Sequence, residues 1–170
     1  LGVDTEYLEE IVFPNTITTI PKDFLYSCKA LKRAIVPSSV TTIGTRAFAG
    51  CSSLEDCDVL RSNSITTIGT ESFSGCKSLT GDIILNNLTG SLKDRSFHNS
   101  GVSRVLSLGT ITSMGGSSYA GCLAACENLK VVILPDTLTD MGISTFYSSK
   151  ALEAIVVKAQ EPPTLNTNVF

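Results

Sequence analysis

A chain of 170 residues with 42% hydrophobic and 17% charged residues has the composition of a folded domain rather than of a disordered segment. Its net charge of −3 and its lack of a basic run argue against nucleic acid or an anionic membrane surface as the partner. No stretch approaches the roughly 18 consecutive apolar residues of a transmembrane helix, so the sequence predicts no membrane span.

One motif recurs in tandem along the sequence. Residues 40–54 read VTTIGTRAFAGCSSL, and residues 65–79 repeat them as ITTIGTESFSGCKSL. The same phase occurs earlier at residues 17–31, ITTIPKDFLYSCKAL, where Leu25 rather than Phe24 falls at the aromatic position. Tandem repeats of roughly 22 to 27 residues are typical of solenoids, in which stacked neighbours bury one continuous core.

The sequence divides into about six to seven repeat units, and we expect one solenoid over residues 1–170. The approximate units are residues 8–30, 31–53, 54–78, 79–101, 102–128, 129–151 and 152–170. The last unit stops at its aromatic position, Phe170, and an apolar end is a poor cap for a solenoid. We therefore expect the chain to be a fragment of a longer protein.

Three units depart from the pattern. The third has two extra residues within RSNS before Ile65, which we expect to bulge a turn without breaking the stack. In the fourth, Asp82 falls at a core position, which predicts a local register shift or a partner for its carboxylate. The fifth, anchored by Tyr119, has four extra residues before Cys126, about one helical turn, so we expect a helix to lengthen there.

The local pattern predicts where the strands and turns lie. In the second unit, alternation within a strand places Ala34 and Val36 inside and Ile35 outside. The following segment, which carries Phe48, is expected to form a short helix or turn. Gly44 and its equivalents are expected to provide positive φ in a tight turn. These features predict an α/β solenoid with one short strand per repeat in a parallel sheet and helical or turn segments on the other side.

The sequence contains no recognisable catalytic, cofactor or metal site. His98 is the only histidine, and it follows the aromatic position of its unit, so we expect it to face solvent or a turn. The acidic residues Glu55, Asp56 and Asp58 can bind a cation or a glycoside, but a solvated edge is the simpler interpretation. Repeat phase predicts buried free thiols rather than disulfides for four of the six cysteines, Cys28, Cys51, Cys76 and Cys126.

Two surfaces are candidate binding sites. The first is the outward strand position, which is aliphatic in every unit except the third, where Asp58 stands. Stacked aliphatic residues form an exposed stripe of the kind that marks interaction sites, although β propensity alone also selects such residues. The stripe consists of Val12, Ile35, Ile83, Leu106, Ile133 and Val156. The second surface is a polar ladder of threonine pairs that includes Thr42 and Thr67, which can bind glycans or peptide backbone or simply suit an exposed extended segment.

The units VPSSVTTIGTRAFAGCSSL and ILPDTLTDMGISTF resemble the BspA-like class of leucine-rich repeats, and the resemblance extends over essentially the whole chain. It implies a right-handed leucine-rich-repeat coil in a secreted or cell-surface bacterial protein. It also implies a non-enzymatic, adhesin-type role, with extracellular proteins of a host or of neighbouring cells as partners. Two alternatives remain open: a structural spacer or scaffold that presents another domain, and an array that binds glycans.

Overall fold

The chain winds into a solenoid of short strands, and the computed structural model describes residues 5–117 and 120–170. Helical structure among these residues is limited to two 3-10 helices, Thr5–Tyr7 and Asp58–Arg61. The strands in chain order are β1 Glu10–Val12, β2 Thr19–Ile20, β3 Arg33–Ile35, β4 Thr42–Ile43, β5 Asp56–Cys57, β6 Thr67–Ile68, β7 Asp82–Ile84, β8 Thr89–Leu92, β9 Arg104–Ser107, β10 Thr110–Met114, β11 Gly116–Ser117, β12 Ala120–Gly121, β13 Val131–Leu134, β14 Asp140–Met141, β15 Ala154–Val157 and β16 Thr164–Leu165.

Each turn of the solenoid contributes one strand to each of two parallel stacks. Side A contains β1, β3 and β5, followed by β7, β9, β13 and β15. Side B contains β2, β4 and β6, followed by β8, β10, β14 and β16. Equivalent residues pair one turn apart, for example Ile11 with Ala34 on side A and Thr19 with Thr42 on side B. This register stacks the inward aliphatic residues of successive turns, and one buried cluster therefore runs from Phe13 to Val169.

The third side of the solenoid consists of consecutive turns, so of the predicted helical or turn segments only the turns are found there. The N–H of Phe48 donates to the carbonyl of Ser72 in the next turn at 2.8 Å, whereas the N–H of Ala47 closes a local turn onto Gly44. Arg46 and Gly50 have positive φ angles of 54° and 77°. In an α-helix each backbone N–H donates to the carbonyl four residues earlier, and no residue has a left-handed conformation. The fold is therefore a parallel β-solenoid with almost no helix rather than an α/β solenoid.

A column of side chains at the aromatic position fills the core behind this third side. The rings of Phe48 and Phe73 lie 5.1 Å apart and those of Phe73 and Phe97 lie 5.3 Å apart, with interplanar angles of 6° and 3°. Leu25 is buried while Phe24 is 51% exposed, which confirms that Leu25 holds this position in the first turn.

In the fifth turn the position belongs to Leu123, whose N–H donates to Thr145 just as the N–H of Phe97 donates to Cys122. Tyr119, the anchor predicted for this turn, lies outside the described residues. The column therefore accepts both phenylalanine and leucine.

The glycines that end the strands of side B are required by close contact between turns, not by the positive φ that the sequence predicted. The φ angles of Gly44 and Gly69 lie outside the left-handed region. A Cβ on Gly69 would lie 2.6 Å from the backbone nitrogen of Thr45 and 2.7 Å from the carbonyl carbon of Gly44. Any side chain here therefore pushes two adjacent turns apart.

We expect Gly69→Ala to lower the free energy of unfolding by about 2 kcal/mol or more, because backbone atoms of the preceding turn must move. Gly90→Ala is the matched control, since a Cβ there meets nothing within 4 Å and strains only a φ of 72°. Strain of that kind costs about 1 to 2 kcal/mol. Urea unfolding measures both, and a smaller loss for Gly69→Ala than for Gly90→Ala would contradict the close-contact explanation.

The third turn, which carries the insertion, contains the 3-10 helix Asp58–Arg61. Val59 and Leu60 of this helix are buried, and the core continues on both sides of it. The insertion therefore leaves the stack intact, as predicted. It does interrupt the strand pairing of side A between β5 and β7.

The fourth turn has both a register shift and a partner for the Asp82 carboxylate, which the sequence predicted as alternatives. The register shifts by one residue, so that Ile83 and Leu85 point into the core and are at most 1% exposed. Asp82 lies outside and accepts two hydrogen bonds, both 2.7 Å, from the guanidinium of Arg104 in the next turn.

In the fifth turn, the described residues on either side of residues 118–119 form a short antiparallel strand pair and not the predicted helix. Strands β11 and β12 pair antiparallel, Gly116 with Gly121 and Ser117 with Ala120. Glycine is a poor helix former, and this segment has Gly115, Gly116 and Gly121 within seven residues.

Candidate binding faces

The outer face of side A carries the predicted apolar stripe in every turn except the third. In the fourth turn a different residue from the predicted one faces outward. Val12 and Val156 at the two ends are 62% and 47% exposed, and the three members Ile35, Leu106 and Ile133 are half-buried. In the third turn Asp58 replaces an aliphatic residue, and its Oδ1 accepts a hydrogen bond from the N–H of Val36 at 3.1 Å. Asp58 therefore holds the end of a neighbouring strand and divides the stripe in two.

The structure corrects one predicted member of the stripe. Ile83 is 1% exposed because of the register shift in the fourth turn, and it belongs to the core. Its neighbour Ile84 takes the outward position and is half-buried. A second irregularity in β9 places both Leu106 and Ser107 outside and puts Leu108 in the core. The corrected stripe contains Val12, Ile35, Ile84, Leu106, Ile133 and Val156.

The outer face of side A becomes wider and more apolar toward the last turns. The neighbouring outward row begins with charged residues, and Glu10 pairs there with Arg33 at 3.7 Å. After Arg104 the same row continues with Val131 and Ala154. Sequence reasoning missed these two residues because it followed a single outward position, although the alternation in VVIL and AIVV marks both. The aliphatic residues of this wider part are Leu106, Val131, Ile133, Ala154 and Val156.

The threonine pairs lie at the corner that leads into side B, and the two members of a pair differ. The hydroxyl of Thr41 donates to the carbonyl of Thr18 at 3.4 Å, and that of Thr66 donates to Thr41 at 3.3 Å. These first members tie successive turns together. The second members, Thr42 and Thr67, stack in register with each other and present hydroxyls that make no hydrogen bond within the described residues.

The cysteines of the repeat form a buried column of hydrogen-bond donors. The thiol of Cys51 donates to the carbonyl of Leu25 and that of Cys76 to the carbonyl of Phe48, both at 3.1 Å. The thiol of Cys126 donates to Phe97 at 3.0 Å. Ser149 has the same phase, and its hydroxyl donates to Leu123 at 2.8 Å. Each of these thiols thus donates a hydrogen bond to a carbonyl of the preceding turn.

All six cysteines are free and buried, in agreement with the predicted buried thiols. Burial raises the pKa of the Cys51 thiol to about 12 and also raises the pKa of Cys57, Cys76, Cys122 and Cys126 above the ordinary range. A thiol must ionise to act as a nucleophile or metal ligand. Burial therefore disfavours the thiolate form of these five cysteines, which fits a structural role.

The other candidate groups for chemistry are the acidic cluster of the third turn and His98. Asp56 accepts a 2.6 Å hydrogen bond from Arg61, so the acidic cluster is partly neutralised by its own turn. Burial, followed by the charge of Arg95, lowers the pKa of His98, which is half-buried. Among the described residues there is no group of three or more histidine, cysteine or acidic side chains placed to hold a metal ion. None of the helices in the described part of the chain is long and apolar enough to cross a bilayer.

Comparison with protein-family models gives one match over nearly the whole chain. The model described as the BspA type leucine rich repeat region, with six copies, matches residues 4–125 and 120–170. No curated protein sequence matches the chain.

Three solved structures resemble the solenoid. A leucine-rich repeat protein from Bacteroides ovatus superposes with a TM-score of 0.62 and 20% identity over 91% of this chain and 45% of its own. The T. pallidum leucine rich repeat protein gives 0.56 and 16% over 86% and 78%. A leucine rich cell surface protein from Faecalibacterium prausnitzii gives 0.44 and 21% over 88% and 60%. At these identities the likeness to the first two structures shows the fold alone, and the chain spans less than half of the Bacteroides ovatus protein.

Proposed function

The chain belongs to the BspA-type leucine-rich repeat family, and we propose that it is a non-enzymatic, protein-binding module of an extracellular bacterial protein. Repeat solenoids generally act as scaffolds that present extended binding surfaces to other proteins. The proposed partners are extracellular proteins of a host or of neighbouring cells, as for an adhesin, and the proposed location is secreted or on the cell surface. The observation that supports the proposal best is the widened apolar outer face of side A in the last turns.

This part of side A has the anatomy of a protein-binding surface. Ile133 and Val156 are paired residues of adjacent strands, about 4.8 Å apart, and Val131 and Ala154 extend the patch sideways. Leu106 directly follows the last residue of β9 that pairs with β13. Burying such a patch recovers about 25 cal/mol per Å² of apolar surface. Charged residues surround it, including the pair of Lys130 and Glu153, 3.4 Å apart. An apolar centre with a polar rim is typical of protein–protein interfaces.

A charged residue in the centre of this face is expected to abolish partner binding. We expect the double variant Leu106→Lys, Ile133→Lys to lose at least about tenfold in affinity, because two ammonium groups must be desolvated without partners. The measurement is biolayer interferometry of the 170-residue chain against a panel of extracellular-matrix proteins. Substitution of Ile83 would not test this face, since that side chain belongs to the core.

The matched control is Thr110→Lys, in the same turn on side B, where the side chain is exposed. It adds one positive charge, half of the charge that the double variant adds, away from the proposed face, and it is expected to leave binding unchanged. Equal loss from the control and the double variant would contradict the assignment to side A. A glycan array run in parallel separates the alternative, since glycan binding lost on Thr42→Val and Thr67→Val would assign function to the polar ladder. Binding to neither panel would favour the scaffold role.

A further inference from the structure

Asp58 is the charged residue in an otherwise aliphatic outward row on side A. In regular turns, the residue after the outward position donates its N–H to a backbone carbonyl of the next turn. Phe13 donates in this way to Ile35, and Leu85 donates to Ser107, both at 3.0 Å. These hydrogen bonds hold the end of each strand against its neighbour, so the same place in the third turn also needs an acceptor.

In the third turn a side chain supplies this acceptor. The chain leaves the strand and enters a 3-10 helix at Asp58. Oδ1 of Asp58 then accepts the hydrogen bond from the N–H of Val36 at 3.1 Å. A carboxylate oxygen thus replaces the carbonyl of a regular strand. An asparagine side chain can offer the same acceptor without a charge, so the hydrogen bond alone does not require an aspartate.

The charge of Asp58 lies where it interrupts an apolar surface. Asp58 is exposed, and it stands between Ile35 of the second turn and Ile84 of the fourth, which are both half-buried. Strand β7, which carries Ile84, contacts the 3-10 helix that begins at Asp58. The guanidinium of Arg61 pairs with Asp56 at 2.6 Å. An apolar partner that lies across Ile35 and Ile84 must therefore desolvate the Asp58 carboxylate, which is costly.

We propose that Asp58 determines specificity by exclusion: its carboxylate keeps apolar surfaces, above all the outer face of a second copy of this chain, off the row between Ile35 and Ile84. The inference rests on the proposed function, because it defines where the partner-binding part of side A ends. Contiguous exposed aliphatic residues promote association, and a single charge among them opposes it. Specific interfaces commonly combine an attractive surface with such a repulsive element. Binding is thereby confined to the wider part of the face, which contains Ile133.

Two substitutions separate the charge of Asp58 from its hydrogen bond. Asp58→Asn keeps an acceptor for Val36 and removes the charge, whereas Asp58→Lys removes the acceptor and keeps a charge. Sedimentation equilibrium of the 170-residue chain is expected to show a self-association constant about tenfold higher for Asp58→Asn than for the parent chain. Asp58→Lys is expected to associate no more than the parent. The reverse order, with association by the lysine variant only, would overturn the proposal and leave Asp58 with a structural role alone.

Further variants locate the gained contact. Adding Ile35→Lys to Asp58→Asn is expected to reverse the gain, because a charge returns to the same row. Glu127→Gln is the matched control, since it removes one exposed negative charge away from this face and is expected to change nothing. Urea unfolding confirms that each variant is folded. No gain from Asp58→Asn, or an equal gain from Glu127→Gln, would show that Asp58 does not exclude a second copy.

This experiment needs no extracellular partner, because the probe is the chain itself. The proposed function is tested separately by the double variant Leu106→Lys, Ile133→Lys against the matrix proteins. Failure of the exclusion role and failure of the proposed function are therefore distinguishable.

Discussion

Phe73→Ala is expected to cost about 3 to 5 kcal/mol of unfolding free energy, which is a fifth or more of the roughly 5 to 15 kcal/mol that stabilise a typical domain. Phe73 is fully buried, and its ring lies between those of Phe48 and Phe97 at 5.1 and 5.3 Å. The surrounding turns are held in place by hydrogen bonds along two strands and a turn segment each. They can close the cavity only partly, and the loss therefore includes a cavity term in addition to the transfer term.

The position of Phe73 in a one-dimensional stack adds to this effect. Each turn of a solenoid contacts only its neighbours, so truncation of a central ring weakens two interfaces at once. Phe170→Ala is the matched control, because that ring is 66% exposed and stacks only on Phe146 at 5.9 Å. We expect the control to cost less than about 1 kcal/mol.

Phe73→Leu separates the shape of the side chain from its burial. Leu25 and Leu123 occupy the same column in the first and fifth turns and are fully buried there. We therefore expect the leucine variant to cost only about 1 to 1.5 kcal/mol. Chemical unfolding measures all three variants, and a loss for Phe73→Ala no larger than that for Phe170→Ala would contradict the role of the ring column.

Repeat phase predicted the core of the solenoid well, because an inward position is apolar in nearly every turn. The phase placed Leu25 rather than Phe24 inside, and the structure confirms it. Phase failed where three aliphatic residues follow one another, as in Ile83, Ile84 and Leu85, since two registers then bury similar side chains. The observed register keeps the Asp82 carboxylate outside the core, where it pairs with Arg104 of the next turn, and so avoids the cost of burying a charge.

The helix, one of the two options predicted for the third side, is absent for a comparable reason. The segment TRAFAGC contains good helix formers with apolar residues three apart, and local propensity favours a helix turn. The structure instead gives every second N–H of this segment to the next turn of the solenoid. These hydrogen bonds form only when neighbouring turns are stacked, so they cannot be predicted from the sequence of one repeat alone. The glycine prediction failed similarly, because the contact between Gly69 and Thr45 is made between turns.

The binding face was predicted in outline and corrected in detail. The outward position of the strands was correct in the turns that keep a regular register, and it failed at Ile83. The additional residues Val131 and Ala154 became visible only when two outward rows were placed side by side by strand pairing. Whether a partner occupies this face stays a prediction, since exposure and hydrophobicity alone do not identify a ligand.

The second large effect is expected from pH. Because of the buried cysteine thiols, we expect the free energy of unfolding of the solenoid to fall by several kcal/mol between pH 7 and pH 10. The five cysteines with raised pKa values hold their protons in the folded state, and for Cys51 that pKa is about 12. In the unfolded chain a thiol ionises at about pH 8.5. Above that pH the folded state binds more protons than the unfolded state, and the free energy of unfolding must fall as pH rises.

Each such thiol lowers the free energy of unfolding by about 1.4 kcal/mol per pH unit between its unfolded and folded pKa values. Below the unfolded pKa this contribution to stability is fully present, so neutral and acidic solutions are not affected by it. The proton that the folded state retains is the donor in the hydrogen bond from the Cys76 thiol to the carbonyl of Phe48. The thiols therefore couple alkaline pH to the contacts between turns.

Serine substitution isolates this effect, because a serine hydroxyl does not titrate in this range and already fills the same position at Ser149. In the variant Cys51→Ser, Cys76→Ser, Cys126→Ser the donors to Leu25, Phe48 and Phe97 remain, although its stability at pH 7 is expected to be lower because polar atoms replace sulfur. Its decline from pH 7 to pH 10 is expected to be smaller than that of the parent chain by several kcal/mol. Urea unfolding under reducing conditions measures both slopes. Lysine and tyrosine titration is common to the two proteins, so parallel pH profiles would show that the buried thiols do not control alkaline stability.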